Sequence, residues 1–193
     1  MALARVPRIA PASLVLVLCL GPAPAVNGAN PEDSLEHAVK AALLLNFAKC
    51  TDWPSASSQA RRPFVSICVL GRDPFGPVLD ETLRGRSVAG RPLVVKRYDT
   101  REGSASCNVV FVASAPDRLQ QDLRALADEP VLTVGETAGF AARGGIIGLI
   151  VEGDFVRFEV NLTAAGRARL QLSSKLLGLA RVIARPHDRE PQP

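Results

Sequence analysis

Hydrophobic positions in the N-terminal third of the chain recur at helical spacing. Residues 33–50 carry apolar side chains three and four positions apart and predict an amphipathic helix, with Asp33 or Ser34 as its N-cap. The positions on the predicted apolar face are Leu35, Val39, Ala42, Leu43, Asn46 and Phe47. Pro54 opposes further helix, so a loop is expected from there to about residue 62.

The middle of the chain alternates between predicted strands and predicted helices. The predicted strands are 64–70, 92–98, 107–113 and 131–134, and the predicted helices are 73–83 and 116–126. Residues 64–70 and 107–113 are nearly continuous apolar runs, which are typical of strands covered on both faces. Strands that alternate with helices indicate βαβ units. The predicted fold class is therefore α/β, a three-layer sandwich with a mostly parallel sheet.

The last third of the chain predicts an antiparallel hairpin followed by a helix. Residues 146–151 and 155–160 are apolar strands on either side of a Glu-Gly-Asp turn, so the sheet is expected to end in this hairpin. Apolar stripes from residue 163 to about residue 183 predict a long C-terminal helix. Residues 185–193 hold three prolines among mixed charges and predict a disordered tail.

The N-terminus has the features of a secretory signal peptide. A basic start is followed by the short apolar run Leu14–Leu20 and by small residues up to Ala25. This run is shorter than the ~20 residues that span a bilayer, so cleavage is favoured over a retained anchor. We expect cleavage after Ala25, with Gly28 or Ala29 as alternative sites.

Length and composition fit one compact domain. The chain has 193 residues, of which 47% are hydrophobic and 22% are charged, and this is enough apolar surface for a folded core. We assign residues 1–25 to the signal peptide, 33–184 to the α/β domain and 185–193 to the tail. Cleavage would lower the net charge from +4 to +2, because Arg5 and Arg8 are lost. This small charge gives no reason to expect a nucleic acid partner.

Three cysteines remain after the predicted cleavage, at positions 50, 68 and 107. An exported protein in an oxidising compartment can form one disulfide from them, and three pairings are possible. The pair Cys68 and Cys107 is favoured because both lie in predicted core strands. No paired Cys-X-X-Cys spacing is present, so no metal site is expected.

A glycine-bounded loop follows the first predicted core strand. Residues 71–76 (GRDPFG) lie where α/β folds bind phosphates, but they lack the lysine and hydroxyl residue of a P-loop and the glycine spacing of a dinucleotide fold. A structural turn is favoured over a ligand loop. If the loop does bind a small ligand, the candidate residues are Arg72, Asp73 and Phe75.

Catalytic chemistry has little support in the sequence. His37 and His187 are the only histidines, and neither has a serine or cysteine partner placed for nucleophilic catalysis. No catalytic residue and no cofactor is expected, and a hydrolase is the least favoured class. Arg157 and Glu159 are two positions apart and lie on one face of a predicted strand, where they would form a surface ion pair or contact a partner.

The chain resembles the YfiR family of inhibitors of membrane-bound diguanylate cyclases. The matching segments, in order, are Val39–Lys49 with Trp53 and Pro54, Ile67–Gly76, Gly90–Pro92, Cys107–Val112, Val131–Phe140, Gly144 and Gly145, Val156–Leu162, and Leu172–Leu177. Together they cover about residues 36–183 without large gaps. The resemblance rests on the ordered set, because each segment alone is weakly specific.

The resemblance implies a periplasmic protein for which a homodimer is one assembly state. It also implies that this protein holds an inner-membrane diguanylate cyclase inactive through the periplasmic sensor domain of that enzyme. It also implies release of this inhibition by an outer-membrane lipoprotein that sequesters the inhibitor, which raises cyclic-di-GMP and biofilm formation. Cys68 and Cys107 match the family positions that form a disulfide. No cysteine follows Cys107, so the redox behaviour of a second, C-terminal pair does not carry over.

We therefore expect a periplasmic negative regulator that acts by binding and has no enzymatic activity of its own. The candidate partner-binding residues lie in the predicted hairpin and C-terminal helix: Arg157, Glu159, Leu172 and Leu176. The alternative is a periplasmic sensor that binds a small ligand at the strand ends near residues 73–76.

Overall fold

The computed structural model describes residues 31–153 and 155–184. The predicted signal peptide and C-terminal tail lie outside these residues. The helices are α1 Pro31–Lys49, α2 Ser58–Arg61, α3 Pro77–Leu83, α4 Pro116–Leu126, α5 Leu162–Arg167 and α6 Ser174–Leu177. The strands are β1 Thr51–Asp52, β2 Val65–Gly71, β3 Ser87–Val88, β4 Arg91–Tyr98, β5 Val109–Ala113, β6 Leu132–Gly135, β7 Ile147–Glu152, β8 Phe155–Asn161, β9 Gln171–Leu172 and β10 Arg181–Ala184.

A mostly parallel sheet forms the centre of the fold, with the strand order β10-β8-β7-β6-β5-β2-β4-β3. The pairs from β4 through β2, β5 and β6 to β7 are parallel, as is the pair of β8 with β10. The β7–β8 and β3–β4 pairs are antiparallel. The predicted α/β class, mostly parallel sheet and β7–β8 hairpin are confirmed. The sheet does not end in that hairpin, however, because β10 adds a further parallel strand beside β8.

The predicted long helix over residues 163–183 is wrong. This segment forms α5, β9, α6 and β10 instead. Arg169 adopts the left-handed conformation, with φ of 57°, directly after α5, and a continuous helix does not accommodate it. Ser173 then caps α6 by accepting a hydrogen bond from the backbone N–H of Leu176 at 3.3 Å. The leucines at helical spacing therefore fall in β9 (Leu172), in α6 (Leu176 and Leu177) and in the turns beside them (Leu170 and Leu179).

Helices cover both faces of the sheet because the central strands are apolar on both. On β2, Val65, Ile67 and Val69 pack in one core cluster with side chains of α1, α3, α5 and α6. The alternate residues Cys68 and Leu70 pack on the opposite face with side chains of α4. The period-2 alternation of a strand thus divides the core into two parts.

The buried face of α1 differs from the predicted one. Lys40, Ala41, Leu44, Leu45, Phe47 and Ala48 are buried. Leu35 and Val39, which were predicted to face the core, are 68% and 40% exposed, and Asn46 is also exposed. The helix is apolar around most of its circumference, so its spacing alone does not define one buried stripe.

The favoured disulfide is present. Cys68 on β2 is bonded to Cys107, which directly precedes the β5 ladder, and their Cα atoms are 6.3 Å apart. Both residues are buried, with exposures of 0% and 1%. Cys50 is a free, half-buried cysteine at the end of α1. The bridge therefore fastens the two strands at the middle of the sheet on the face covered by α4.

Phe140 packs between two glycines. A Cβ atom built on Gly135 would lie 2.3 Å from the Phe140 ring, and one on Gly145 would lie 2.1 Å from it. The ring itself is 1% exposed. The ring leaves no room for a side chain at either position, so glycine is required at both.

Loss of the bridge is expected to destabilise the protein. A loop of 39 residues is closed by the disulfide, and the chain-entropy estimate for such a loop is about 4 kcal/mol. Cys68→Ala/Cys107→Ala should lower the melting temperature relative to the oxidised protein, measured by circular dichroism. The control is Cys50→Ala, whose melting temperature should still fall on addition of reductant. Equal melting of the oxidised and reduced wild-type protein would contradict this account.

Two glycine substitutions should have opposite effects on stability. Gly145→Ala forces a methyl group into the Phe140 ring and is expected to destabilise by about 1–3 kcal/mol. Gly166→Ala in α5 meets no atom within 4 Å and should stabilise by up to about 1 kcal/mol through higher helix propensity. Urea denaturation measures both changes, and a Gly145→Ala variant as stable as wild type would contradict the packing described for Phe140.

Candidate functional site

The loop after β2 is held together by its own side chains. The Asp73 carboxylate accepts a hydrogen bond from the backbone N–H of Phe75 at 2.8 Å through Oδ1. The Phe75 ring is 2% exposed and meets the Phe111 ring edge-on, with centroids 4.7 Å apart. These contacts favour the structural-turn interpretation for Asp73 and Phe75. The third candidate ligand residue, Arg72, lines a surface crevice.

Arg97 on β4 connects this loop to α3. Its Nε donates to Asp73 Oδ2 at 2.7 Å, and its Nη2 donates to Asp80 Oδ2 at 2.5 Å and to the Gly76 carbonyl at 2.8 Å. The hydrogen bond from Arg97 lowers the pKa of the Asp80 carboxyl, although partial burial opposes the change. The two carboxylates in turn raise the pKa of Arg97. The cluster fixes the start of α3 against the sheet.

The predicted partner residues Arg157 and Glu159 do not pair with each other. Arg157 Nε lies 2.8 Å from Glu152 Oε2, and Glu159 Oε1 lies 3.4 Å from Arg181 Nη1. Arg157 and Glu159 lie on one face of β8, as predicted from their spacing. Their side chains differ in access, since that of Arg157 is 68% exposed and that of Glu159 is 14% exposed.

The two candidate leucines have different environments. Leu176 is 4% exposed and belongs to the core cluster beneath the sheet. Leu172 is half-buried in β9, where it is paired with Thr51 of β1. The structure therefore gives Leu176 a packing role in the core.

The end of the β7–β8 hairpin is an exposed apolar surface; the sequence indicated the hairpin as a partner surface but not the residues at its end. We define the hairpin tip as Val151, Glu152, Gly153 and Phe155. Phe155 is 68% exposed and Val151 is 46% exposed. Glu152 is opposite Phe155 and Val151 is opposite Val156, so apolar side chains project from both faces of the tip. The sequence does carry a signal for this surface, because the apolar residues Val151 and Phe155 adjoin the predicted turn.

A buried cation, Lys40, is among the residues that line a surface groove. The groove is about 990 Å³ and runs along β7, β8 and β10. The Lys40 ammonium is 2.5 Å from both Glu36 and Glu136. Burial alone lowers the pKa of Lys40, but hydrogen bonds to the two carboxylates outweigh it and raise the pKa. The Lys40–Glu136 pair joins residues 96 positions apart, which explains why local sequence patterns did not reveal it.

Other chemistry has little structural support among the described residues. His37 stands edge-on to the Phe75 ring, with centroids 6.1 Å apart, whereas His187 lies outside the described residues. No cluster of three or more potential metal ligands occurs within residues 31–153 and 155–184. In the same ranges, no helix has the length and apolar character needed to cross a bilayer.

Comparison with known families identifies the domain. Residues 37–181 match the family described as YfiR/HmsC-like. The chain belongs to this family. Among solved structures, it is similar to a conserved domain protein from Vibrio cholerae O1 biovar El Tor, with 13% sequence identity and a TM-score of 0.47. The alignment covers 61% of this chain and 54% of the other, so the chain spans about half the length of that structure.

The YfiR/HmsC-like region contains every surface feature described above. It includes the hairpin tip, the groove beside Lys40 and the loop after β2, and it ends at Arg181, the first residue of β10. The disulfide positions Cys68 and Cys107 lie within it as well. The family assignment therefore applies to strands β1–β9 and to both core clusters.

The pKa of Asp80 provides a test of the Arg97 cluster. In the folded protein this pKa lies below its ordinary value of 3.8. The ionised carboxylate therefore contributes to the free energy of unfolding above pH 3.8, and this contribution is lost as the pH falls through the pKa of the folded state. Arg97→Met should move the Asp80 pKa back toward 3.8, measured by NMR titration of the side-chain carboxyl. Arg86→Met, in the exposed turn after α3, is the control and should leave it unchanged. An unchanged Asp80 pKa in Arg97→Met would contradict the assigned cause.

Proposed function

We propose that this protein is a periplasmic negative regulator that binds the periplasmic sensor domain of an inner-membrane diguanylate cyclase and keeps the enzyme inactive. The observation that carries the proposal is the YfiR/HmsC-like match over residues 37–181. Lower cyclase activity reduces cyclic-di-GMP and biofilm formation. The protein acts by binding, and the chemical step belongs to its partner.

The proposed mechanism is a shift in conformational population. A regulator that binds the inactive form of the sensor domain more tightly than the active form moves the cyclase toward the inactive form. The size of that shift is limited by the difference between the two affinities. An outer-membrane lipoprotein that sequesters the regulator would remove it from this equilibrium and release the cyclase.

The hairpin tip is the proposed contact with the sensor domain. Phe155 projects from the face of β8 that also carries Arg157, and Glu152 is opposite Phe155 on β7. The Arg157–Glu152 ion pair at 2.8 Å therefore lies beside the exposed ring. An aromatic anchor with polar groups at its edge is the arrangement that dominates the binding energy of many protein interfaces.

Other exposed apolar side chains fit this role less well. Leu179 is 75% exposed, but it stands in the turn after α6 and belongs to no strand or helix. Leu35 and Val39 on α1 are aliphatic, so neither supplies an aromatic anchor. The hairpin tip combines a large ring and a second apolar side chain on a hydrogen-bonded strand pair, and backbone pairing reduces the entropy cost of binding.

A reconstituted cyclase assay tests the proposed surface. Phe155→Ala should weaken inhibition by about tenfold or more, as expected for an aromatic anchor, when product formation is measured in membranes that contain the cognate cyclase. Leu179→Ala removes a similarly exposed apolar side chain and should inhibit like wild type. Deletion of the gene should raise cellular cyclic-di-GMP.

The gene deletion tests the inhibitory role, whereas Phe155→Ala tests the hairpin tip as the contact surface. An unchanged cyclic-di-GMP level after deletion, in cells that express the cyclase, would rule out the inhibitory role. If deletion raises cyclic-di-GMP but Phe155→Ala inhibits as strongly as wild type, the inhibitory role stands and the contact surface is not the hairpin tip.

A further inference from the structure

An apolar stripe on α1 faces solvent rather than the core. Leu35 and Val39 are 68% and 40% exposed, Ala42 is half-buried, and Asn46 and Lys49 are exposed. We call these residues the α1 seam. The side chains that α1 contributes to the core lie on its other faces. Exposed apolar side chains in a row on one face of a helix are typical of an interaction surface.

The α1 seam has the spacing of a coiled-coil interface. Its positions are separated by four, three, four and three residues, and this alternation is the a and d pattern of a heptad repeat. Val39 and Asn46 hold a positions, and Leu35, Ala42 and Lys49 hold d positions. The b and c positions of the same heptads are buried within the protein: Lys40, Ala41, Phe47 and Ala48. One side of α1 therefore packs on the sheet, and the other side is patterned for a second helix.

The two ends of the seam carry opposite charges. Lys49 is the last residue of α1, and residue 32, the next seam position toward the N-terminus, is a glutamate in the sequence. In an antiparallel pair of helices with its two-fold axis at the middle of the seam, Lys49 of each copy lies opposite Glu32 of the other. Val39 of each copy then lies opposite Ala42 of the other, so a larger side chain meets a small one. The macrodipoles of antiparallel helices also attract each other.

Other arrangements fit the α1 seam less well. A parallel pair would place Lys49 beside Lys49 and Glu32 beside Glu32, and both contacts are repulsive. A helix that lies on a lipid surface carries several Lys and Arg side chains, whereas Lys49 is the one cation of the seam. Asn46 lowers the affinity of an apolar seam, but a single polar residue at an a position limits the pairings that the seam accepts. A second copy in antiparallel orientation is therefore the occupant that the charges favour.

We infer that two copies of this protein form a dimer through antiparallel packing of their α1 seams. Removal of Leu35 and Val39 from water supplies the driving force, and the small Ala42 allows the helices to approach closely. The contacts between Lys49 and Glu32 set the direction of the pair. A two-fold contact of this kind uses the same surface on both copies and closes at two subunits. The seam shares no residue with the hairpin tip, so its test is independent of the proposed function.

Sedimentation velocity over a concentration series of the purified mature protein tests the dimer. Val39→Glu buries a charge at the centre of the seam and should raise the dissociation constant of the dimer by about tenfold or more. Leu179→Glu places the same charge at an exposed apolar position outside the seam and should dimerise like wild type. Circular dichroism verifies that each variant is folded. A wild-type protein that stays monomeric throughout the series, or a Val39→Glu variant that dimerises like wild type, would overturn the inference.

Exchange of the two end charges tests the antiparallel direction. Glu32→Lys and Lys49→Glu each create like-charge contacts between the copies, and at low ionic strength each should weaken the dimer by about fivefold. The double variant Glu32→Lys/Lys49→Glu restores opposite charges at both ends and should dimerise like wild type. Both substitutions oppose the helix macrodipole, so an effect on helix stability alone would be largest in the double variant. Failure of the double variant to recover, or single variants that dimerise like wild type, would refute the antiparallel contact.

Discussion

The whole arrangement depends on β2, a strand that is buried on both faces and paired on both edges. Each residue from Val65 to Leu70 is at most 1% exposed, and the strand is hydrogen-bonded to β4 and β5. Such a strand needs apolar cover above and below the sheet, because neither face can be left to water. The two core clusters and the helices that supply them follow from this requirement.

Sequence patterns predicted the sheet better than they predicted the segments around it. The apolar runs located β2 and β5 because a central strand must be apolar throughout, and α4 begins and ends at the predicted residues Pro116 and Leu126. The C-terminal segment was mispredicted because its leucine spacing suits a helix, whereas the left-handed Arg169 interrupts it. Backbone conformation at one residue is decided by tertiary contacts that local spacing does not contain.

The candidate sites show the same difference between features that local spacing predicts and features that tertiary contacts decide. Spacing along β8 placed Arg157 and Glu159 on one face, since strand alternation is a local property. It did not show that their ion-pair partners are Glu152 and Arg181, or that Lys40 lies against Glu136, because those contacts join separate elements. The exposure of the hairpin tip likewise depends on how far β7 and β8 extend beyond their neighbours.

The position of β10 decides how the protein tolerates shortening. Arg181–Ala184 is the outermost strand beside β8, and it occupies main-chain groups of β8 that would otherwise face water. A chain truncated before Arg181 would expose the β8 edge at Glu159–Asn161, which continues the edge of the apolar hairpin. Unprotected edges of this kind recruit strands from other molecules. The short strand Arg181–Ala184 therefore limits self-association through β8, quite apart from any stability it adds.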